Sequence, residues 1–372
     1  MTVLAGCANP KNSIDIKDTG DIDQQSTPDL RVPAEWEPQE AIWIQWPQSW
    51  ERSYEPAFAQ MVSTILNHEN VHLLFHNTAT RSSAETALQA EGGLSTAVIG
   101  GASTEAGFGI IWHHIPNDSA WMRDNGPRYV VRDGQMTIQN WEFDGWGGAF
   151  GNFPFENDNA VPNAVADYLD LPVYDIDIVH ERGDLEFNGL DTVILNWTVI
   201  GDPRRNPGLT RNDAIAAMQE NFGVSRAVLI EGQPEGDLTG GHVDGIARFI
   251  DTERVVVADC SNQSACSPDD PDDQIYDAAA QVLSDAGLDV IRWPFYGSVT
   301  YRGQTFDTAY LNWLVGNTFV ITVGFGHPEA DAAAKAQLEA WFPDRTVYVI
   351  EMLESWYSGG GVHCHTNDQP SL

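Results

Sequence analysis

The chain has 372 residues, with 42% hydrophobic side chains and 13 tryptophans, which is enough to build a large buried core. No apolar run approaches the roughly 18 residues of a membrane-spanning helix, so the composition excludes both an integral membrane protein and a disordered chain. The 54 acidic and 19 basic residues give a net charge of −35, which argues against nucleic acid as a partner. The same charge would attract a cationic ligand, or it serves solubility alone.

The first residues carry a short signature around Cys7. Leu4-Ala5-Gly6-Cys7 resembles the lipobox of bacterial lipoproteins, in which the cysteine is lipidated, although no apolar signal segment precedes it in this sequence. Residues 8–28 are polar and favour a flexible tether. We expect residues 1–30 to be a lipobox-like start with an acidic tether, and residues 31–372 to be a single catalytic domain. This predicts a membrane-anchored, extracytoplasmic bacterial lipoprotein, or a cytoplasmic protein if the lipobox is accidental.

From Arg31 onward the sequence repeats a helix followed by a strand. Apolar residues from Phe58 to Leu66 have the spacing of one helix face, and the apolar run from Val71 to Phe75 follows as a strand. The same order returns four times. The predicted helices are 162–169, 209–221, 273–286 and 328–341, and the predicted strands are 173–178, 226–230, 288–293 and 346–350.

Five segments rich in glycine, polar or aromatic residues accompany these units. They are Trp121–Pro127, Glu181–Asp184, Gly240–Gly245, Tyr310–Asn312 and Gly359–Cys364. Functional side chains cluster on loops that a rigid scaffold presents, so five such segments favour cyclic pseudosymmetry around a central site. The alternative is an ordinary α/β sandwich with scattered loops.

Cys364 is the candidate nucleophile. It follows three glycines, which let the backbone approach a ligand closely, and polar residues flank it on both sides. A metal site built from Cys364 with His242, His363 and His365 is the alternative. The two other cysteines of the folded part, Cys260 and Cys266, could form a disulfide in an oxidising compartment.

Two further segments carry acid and base side chains. His242 and Asp244 lie two residues apart, which in an extended segment places both on one face, within reach of one ligand. Asp124 follows Trp121 and Arg123 just before a turn, where it is either part of a site or the partner of Arg123 in a surface ion pair.

Four ordered motifs, spread from Arg31 to Pro370, resemble the agmatine deiminase and bacterial-type peptidylarginine deiminase family. They are RVPAEWEPQEAIWIQWP over residues 31–47, WMRDNGP over 121–127, GHVD over 241–244 with ARF over 247–249, and GGGVHC over 359–364. The resemblance implies a five-bladed, pseudosymmetric α/β propeller, the pentein fold. It also implies hydrolysis of guanidino groups without a metal or an organic cofactor.

The resemblance makes Cys364 the nucleophile, His242 the general acid and base, and Asp124 and Asp244 the carboxylates that hold the guanidinium. These residue types suit the chemistry, because a planar cation can be held by two carboxylates while a thiolate attacks its carbon. The imidazole would protonate the departing ammonia and then activate water. Further substrate contacts are expected from Trp46, Trp121, Glu181, Arg182, Asn312 and Gly360.

The substrate is less defined, because the chain departs from the family pattern at Arg182 and in the segment 365–368. An Arg182 that faces the pocket would repel the ammonium group of agmatine and bind a carboxylate, whereas an outward Arg182 would meet a surface acid. We expect agmatine to be converted to N-carbamoylputrescine, with a peptidylarginine or free-arginine deiminase as the alternative. A surface lipoprotein that only binds a cationic ligand is the alternative from another class. The sequence does not predict the oligomeric state.

Overall fold

The computed structural model describes residues 29–260 and 271–372, in which helices alternate with strands as the sequence predicts. The first amphipathic stripe forms the helix Glu55–Ile65, which begins with a proline at its second position, where no backbone donor is lost. Its apolar face, which includes Phe58 and Val62, is fully buried. The strand Asn70–Leu74 follows, which confirms the predicted pair.

The other four predicted pairs are also confirmed, with bounds that differ by one or two residues. The α-helices are Glu55–Ile65, Thr78–Ala90, Thr96–Ile99, Met122–Asn125, Gly145–Gly148, Glu156–Asn159, Val161–Leu169, Trp197–Ile200, Arg211–Phe222, Pro271–Asp285, Pro328–Trp341 and Leu353–Trp356. Short 3₁₀ helices are Ser49–Tyr54, Arg182–Asp184, Val243–Gly245 and His363–His365.

The strands are short, and most are buried. They are Leu30–Arg31, Gln39–Gln45, Asn70–Leu74, Ile110–His113, Arg128–Arg132, Gln135–Glu142, Val173–Val179, Glu186–Phe187, Thr192–Asn196, Arg226–Ile230, Ala247–Phe249, Arg254–Asp259, Asp289–Pro294, Ser298–Tyr301, Gln304–Asp307, Leu314–Val315, Phe319–Gly324, Thr346–Glu351 and Thr366–Pro370.

Within the described residues these strands form five sheets of three or four strands and one separate hairpin, Ser298–Tyr301 with Gln304–Asp307. Each sheet contains an antiparallel pair whose longer strand also pairs in parallel with a strand that follows a helix. A parallel pair needs such a crossover, so each predicted helix–strand unit adds its strand to one sheet, in parallel with the longer strand of the antiparallel pair. The repetition fits the five units expected from the sequence.

One sheet joins distant parts of the chain. Its strand Thr366–Pro370 pairs antiparallel with Gln39–Gln45, which in turn pairs in parallel with Asn70–Leu74. The short helix that contains Cys364 immediately precedes Thr366–Pro370. The pairing therefore fixes the candidate nucleophile beside the first long strand of the fold.

Trp46 lies in the large hydrophobic core instead of at a pocket. Its indole is fully buried, its ring meets Phe58 edge to face at 6.0 Å, and its Nε1 donates to Glu55 Oε1 at 3.0 Å. The expectation that Trp46 contacts the substrate does not agree with this position. A buried indole needs an acceptor for its N–H group, and Glu55 supplies one.

Two predictions involve residues outside the described part of the chain. Cys7 and the tether over residues 8–28 lie outside it, so lipidation stays a prediction. Cys266 also lies outside it, so the pairing of Cys260 with Cys266 stays a prediction. Over residues 29–260 and 271–372, no helix is long and apolar enough to cross a membrane.

Candidate active site

Cys364 sits in the 3₁₀ helix His363–His365 and is buried, with 5% of its surface exposed. The preceding glycines allow this placement. A Cβ atom on Gly360 would lie 2.6 Å from Cys364 Sγ and 2.7 Å from the ring of Trp121. Only glycine can occupy this position without moving the Cys364 thiol or the Trp121 indole.

Asn312 connects the thiol to its surroundings. Its Nδ2 donates to Cys364 Sγ and to Asp244 Oδ2, both at 3.1 Å. Its Oδ1 accepts from the backbone N–H groups of Gly361, His363 and Cys364 at 3.1, 3.0 and 3.4 Å. The side chain thus fixes the backbone that carries the nucleophile and points a donor at the sulfur.

Asp244 lies next to the thiol, with Oδ2 3.7 Å from Cys364 Sγ. Its other partner is His363, whose Nδ1 is 2.7 Å from the same oxygen and whose Nε2 is 2.9 Å from Glu35 Oε2. Burial alone would raise the pKa of Asp244, but His363 and nearby cations outweigh burial and lower it. Asp244 is therefore an ionised carboxylate at neutral pH.

His242 lies between two carboxylates. Its Nδ1 is 3.4 Å from Asp124 Oδ1 and its Nε2 is 3.5 Å from Glu181 Oε2. Glu181 Oε1 accepts from Nε of the buried Arg205 at 2.9 Å. The 3₁₀ helix Arg182–Asp184 packs closely against this group, because a Cβ atom on Gly183 would lie 2.5 Å from Asp124 Oδ1 and 2.6 Å from His242 Nδ1.

The carboxylates determine the protonation of the imidazole. Burial lowers the pKa of His242, but Asp124 and Glu181 outweigh burial and raise it to about 10. Burial raises the pKa of Asp124 to about 6, even though His242 acts in the opposite direction. Around pH 8, therefore, His242 is an imidazolium between two carboxylates and can donate a proton.

The surroundings of Cys364 favour the protonated form of its thiol. Burial, followed by the negative charges of Asp244 and Asp124, raises its pKa well above the ordinary value, while the donor from Asn312 acts in the opposite direction. A thiol is a poor nucleophile. The site therefore requires an additional positive charge before Cys364 can react.

A cavity of about 330 Å³ gives access to the sulfur. Asp124 and Cys364 lie among its lining residues, and Asp124 Oδ2 accepts from Trp146 Nε1 at 2.8 Å. The rest of the lining is mostly aromatic, with Trp50, Trp121, Trp146, Phe150, Phe153 and Tyr357. No lysine or arginine lines this cavity in the part of the chain that the structure describes.

Most of the predicted site residues come together around this cavity. The structure places Asp124, His242, Asp244 and Cys364 within one cluster of contacts, with Glu181 beside His242 and Asn312 beside Cys364. Trp121 and Gly360 lie against the thiol. Their roles in binding or catalysis stay predictions, which the geometry permits.

Arg182 adopts neither of the two expected orientations. It does not line the cavity, and its partner is not a surface acid. Instead its Nη2 donates to Asp368 Oδ1 at 2.7 Å, and the side chain of Asp368 is only 3% exposed. The buried carboxylate holds the arginine outside the cavity lining, because an unpaired buried charge is costly.

The two histidines beside Cys364 do not converge on a metal. His363 contacts Asp244 and Glu35, whereas His365 donates its Nδ1 proton to the carbonyl oxygen of Ala120 at 2.7 Å. His365 also lies 4.3 Å from the Trp121 ring, centroid to centroid. Among the described residues, no group of three histidine, cysteine or acidic side chains could hold a metal ion. The metal alternative therefore has no geometric support.

Several contacts around the site were not expected from the sequence. These include the pairing of Arg205 with Glu181, the contact of Glu35 with His363, and the cavity aromatics Trp50, Phe150 and Phe153. The run of aromatic and glycine residues from 146 to 155 is a signal that could have indicated the last two aromatics.

Comparison with known proteins gives one family. The Porphyromonas-type peptidyl-arginine deiminase model matches residues 31–370. A Streptococcus mutans relative with the provisional name agmatine deiminase is 29% identical over 370 residues, covering 92% of this chain and 96% of the relative.

Solved structures agree with this match. A Porphyromonas gingivalis structure, provisionally named an arginine deiminase, is 25% identical with a TM-score of 0.77, covering 92% of this chain and 98% of that chain. The C. jejuni agmatine deiminase with substrate bound has a TM-score of 0.78 at 18% identity, covering 92% and 96%, and shares the fold. The matches confirm the resemblance seen in the motifs and the expected fold class. The chain belongs to the Porphyromonas-type peptidyl-arginine deiminase family.

Proposed function

We propose that this protein is a deiminase that hydrolyses agmatine to N-carbamoylputrescine and ammonia through a covalent Cys364 intermediate. The observation that supports this most is a thiol that shares its cavity with a carboxylate, next to a histidine held between two acids. The relatives named as agmatine deiminases support the same reaction.

The guanidinium binds between Asp124 and Asp244. Asp124 Oδ1 is buried and makes no hydrogen bond within the described residues, although His242 lies 3.4 Å away, so it can accept from a substrate N–H group. Asp244 Oδ2 lies 3.7 Å from the sulfur, so a guanidinium held by this carboxylate has its central carbon close to Cys364. Two charge-assisted contacts would hold the planar cation with its carbon facing Cys364.

Substrate binding activates the nucleophile. The positive charge of the guanidinium offsets the charges of Asp124 and Asp244, which are two of the causes that raise the thiol pKa. As the cation binds, the thiol releases its proton to water, and the donor from Asn312 favours the resulting thiolate. The thiolate then adds to the guanidinium carbon.

His242 moves the remaining protons. As an imidazolium it protonates one amino group of the adduct, the C–N bond breaks, and ammonia leaves an S-alkylthiouronium on Cys364. The neutral imidazole then takes a proton from water as the water oxygen adds to the same carbon. The C–S bond then breaks while the new hydroxyl group gives its proton to the departing sulfur. The ureido product leaves, and Cys364 returns to its thiol form with His242 again an imidazolium.

The cavity favours agmatine over free arginine. A free arginine brings a carboxylate into the aromatic part of the cavity, where no arginine or lysine of the described chain lies and where Asp124 adds negative charge. The primary ammonium of agmatine, in contrast, can lie against aromatic ring faces. Arg182 cannot replace the missing cation, because it is bound to Asp368.

A substrate panel tests the proposal. Ureido-specific colorimetry on agmatine, free arginine and arginine-containing peptides is expected to give the highest kcat/KM with agmatine. A higher kcat/KM with peptides would identify a peptidylarginine deiminase. Binding of all three compounds without release of ammonia would identify a non-catalytic binding protein. Cys364→Ser supplies the background rate.

We also propose that the protein is tethered to a membrane through lipidated Cys7, on the basis of the lipobox-like sequence alone. In a bacterial host, the full chain is expected in the membrane fraction and to incorporate labelled fatty acid. Cys7→Ser would release it without changing kcat/KM. Equal fractionation of both proteins would contradict the tether.

A further inference from the structure

Three buried charged side chains, those of Arg123, Arg182 and Asp368, lie next to the segments that carry Asp124 and Glu181. Asp368 Oδ1 accepts from Arg123 Nη1 at 2.9 Å and from Arg182 Nη2 at 2.7 Å. The side chains are 3% exposed for Arg123 and Asp368 and 13% for Arg182. Two cations share one carboxylate oxygen, so removal of that carboxylate would leave both arginines close together in a buried place. Glu35 Oε2, which lies 3.8 Å from Arg123 Nη2, would offset only part of their charge.

The two arginines directly adjoin the two acids that flank His242. Arg123 precedes Asp124 in the helix Met122–Asn125, and Arg182 follows Glu181 at the start of the 3₁₀ helix Arg182–Asp184. These helices have four and three residues, too few to fix themselves through their own backbone hydrogen bonds. Their positions depend on contacts made by their side chains.

Asp368 connects both turns to the nucleophile segment. It belongs to the strand Thr366–Pro370, which begins directly after the helix that contains Cys364. Arg123 strengthens the connection, because its Nε donates to the carbonyl oxygen of His363 at 3.2 Å. The neighbouring Asn367 binds the segment that follows the helix Met122–Asn125, where its Nδ2 donates to the carbonyl oxygen of Pro127 at 3.1 Å.

We propose that Asp368 is a positioning residue that, through Arg123 and Arg182, holds Asp124 and Glu181 on opposite sides of His242 and in register with Cys364. This inference rests on the proposed function, and it assigns no direct substrate contact to Asp368. The tolerance is small, since Gly183 leaves no space for a Cβ atom between Asp124 and His242. A displacement of about 1 Å in such a cluster costs on the order of 100-fold in rate.

The test uses Asp368→Asn, Arg182→Gln and the double variant. Asp368→Asn removes the shared charge at constant size, so kcat/KM is expected to fall at least about tenfold. The double variant removes one of the two opposed cations and places an amide opposite an amide. It is expected to recover at least about threefold over Asp368→Asn. Glu231→Gln, which breaks the exposed pair with Arg211, is the matched control and is expected to change nothing.

A second readout needs no turnover. The His242 ring is followed by NMR on histidine-labelled protein, with His242→Gln for assignment. The charged and titratable groups that face this ring are Asp124, Glu181, Asp244, His180 and Asp184. Asp368→Asn removes one negative charge beside Arg123 and Arg182, which Glu35 offsets only in part, and it loosens the two flanking acids. The His242 pKa is therefore expected to move down, and the double variant is expected to move it back.

The outcomes separate the two proposals. A wild-type protein without deiminase activity, but with the expected His242 shifts, would refute the proposed function and keep the positioning role. An active wild type whose Asp368→Asn variant keeps its kcat/KM and His242 pKa would refute the positioning role. Losses that simply multiply in the double variant would refute it as well, because they would show that Arg182 and Asp368 act independently.

Discussion

Removal of the Asn312 side chain should impair both stability and catalysis. In Asn312→Ala, the backbone N–H groups of Gly361, His363 and Cys364 lose their side-chain acceptor, and Cys364 Sγ loses its donor. Two of the three backbone bonds are short, at 3.0 and 3.1 Å, so at about 1.5 kcal/mol for each unsatisfied group the unfolding free energy should fall by about 3 kcal/mol.

The catalytic loss should be larger than stability alone explains. A donor that stabilises negative charge at the reacting atom is worth about 100-fold in kcat or more, so kcat/KM for agmatine should fall about 100-fold. The variant should also be alkylated more slowly by iodoacetamide at a fixed pH, because the thiolate loses a stabilising partner. Colorimetric turnover, urea denaturation and alkylation rates measure the three effects.

Asn188→Ala is the matched control. Asn188 is equally buried, and its Oδ1 also accepts from three backbone N–H groups, those of residues 190, 191 and 192, at 3.0, 3.0 and 2.9 Å. Its hydrogen bonds within the described residues include none to Cys364. Asn188→Ala should therefore lose at least as much stability as Asn312→Ala but keep its alkylation rate and most of its kcat/KM. Equal losses of activity in both variants, or an Asn312→Ala variant within about threefold of wild type, would refute the role of Asn312.

Three further outcomes are expected. Gly360→Ala should abolish turnover, because its Cβ atom would lie 2.6 Å from Cys364 Sγ. Gly245→Ala is the control and should stay active, because a Cβ atom there meets nothing within 4 Å. If both variants were active, the close approach of the Gly360 backbone to the thiol would be contradicted. Because burial raises the pKa of Asp124 to about 6 and the carboxylate must be ionised to bind the cation, kcat/KM should fall about tenfold per pH unit below about pH 6. A kcat/KM that stays constant below pH 6 would contradict this role of Asp124. Dialysis against a chelator should leave kcat unchanged, since His363 and His365 are engaged elsewhere; a loss that zinc restores would reopen the metal alternative.

Much of the fold follows from local sequence patterns. The helix Glu55–Ile65 and the strand after it were predictable because apolar residues recur at helical spacing and are followed by a β-rich run. The strands Glu186–Phe187 and Leu314–Val315, each at the edge of its sheet, have only two residues, too few to show an alternating pattern. Their position depends on pairing with longer neighbours, which local sequence does not specify.

The motifs that resemble the family indicate Cys364, His242, Asp124 and Asp244 together, and the structure brings these four residues into one cluster, whereas their roles stay predictions. Positions that tertiary packing decides were not predictable in the same way. Trp46 was expected at the substrate from the resemblance alone, and whether an indole faces a core or a cavity depends on tertiary packing. Arg182 meets Asp368 across 186 residues of chain, a contact that neither local segment indicates.

The pairing of Thr366–Pro370 with Gln39–Gln45 has a consequence for how the protein is made. Trp43 and Gln369, which are hydrogen-bonded across this pair, are 326 residues apart. A ribosome therefore releases nearly all of the other strands before it synthesises the segment that contains Cys364 and completes this sheet. Nascent chains would carry Asp124, His242 and Asp244 without Cys364, so under the proposed mechanism incomplete polypeptides should be inert toward free guanidines in the cell.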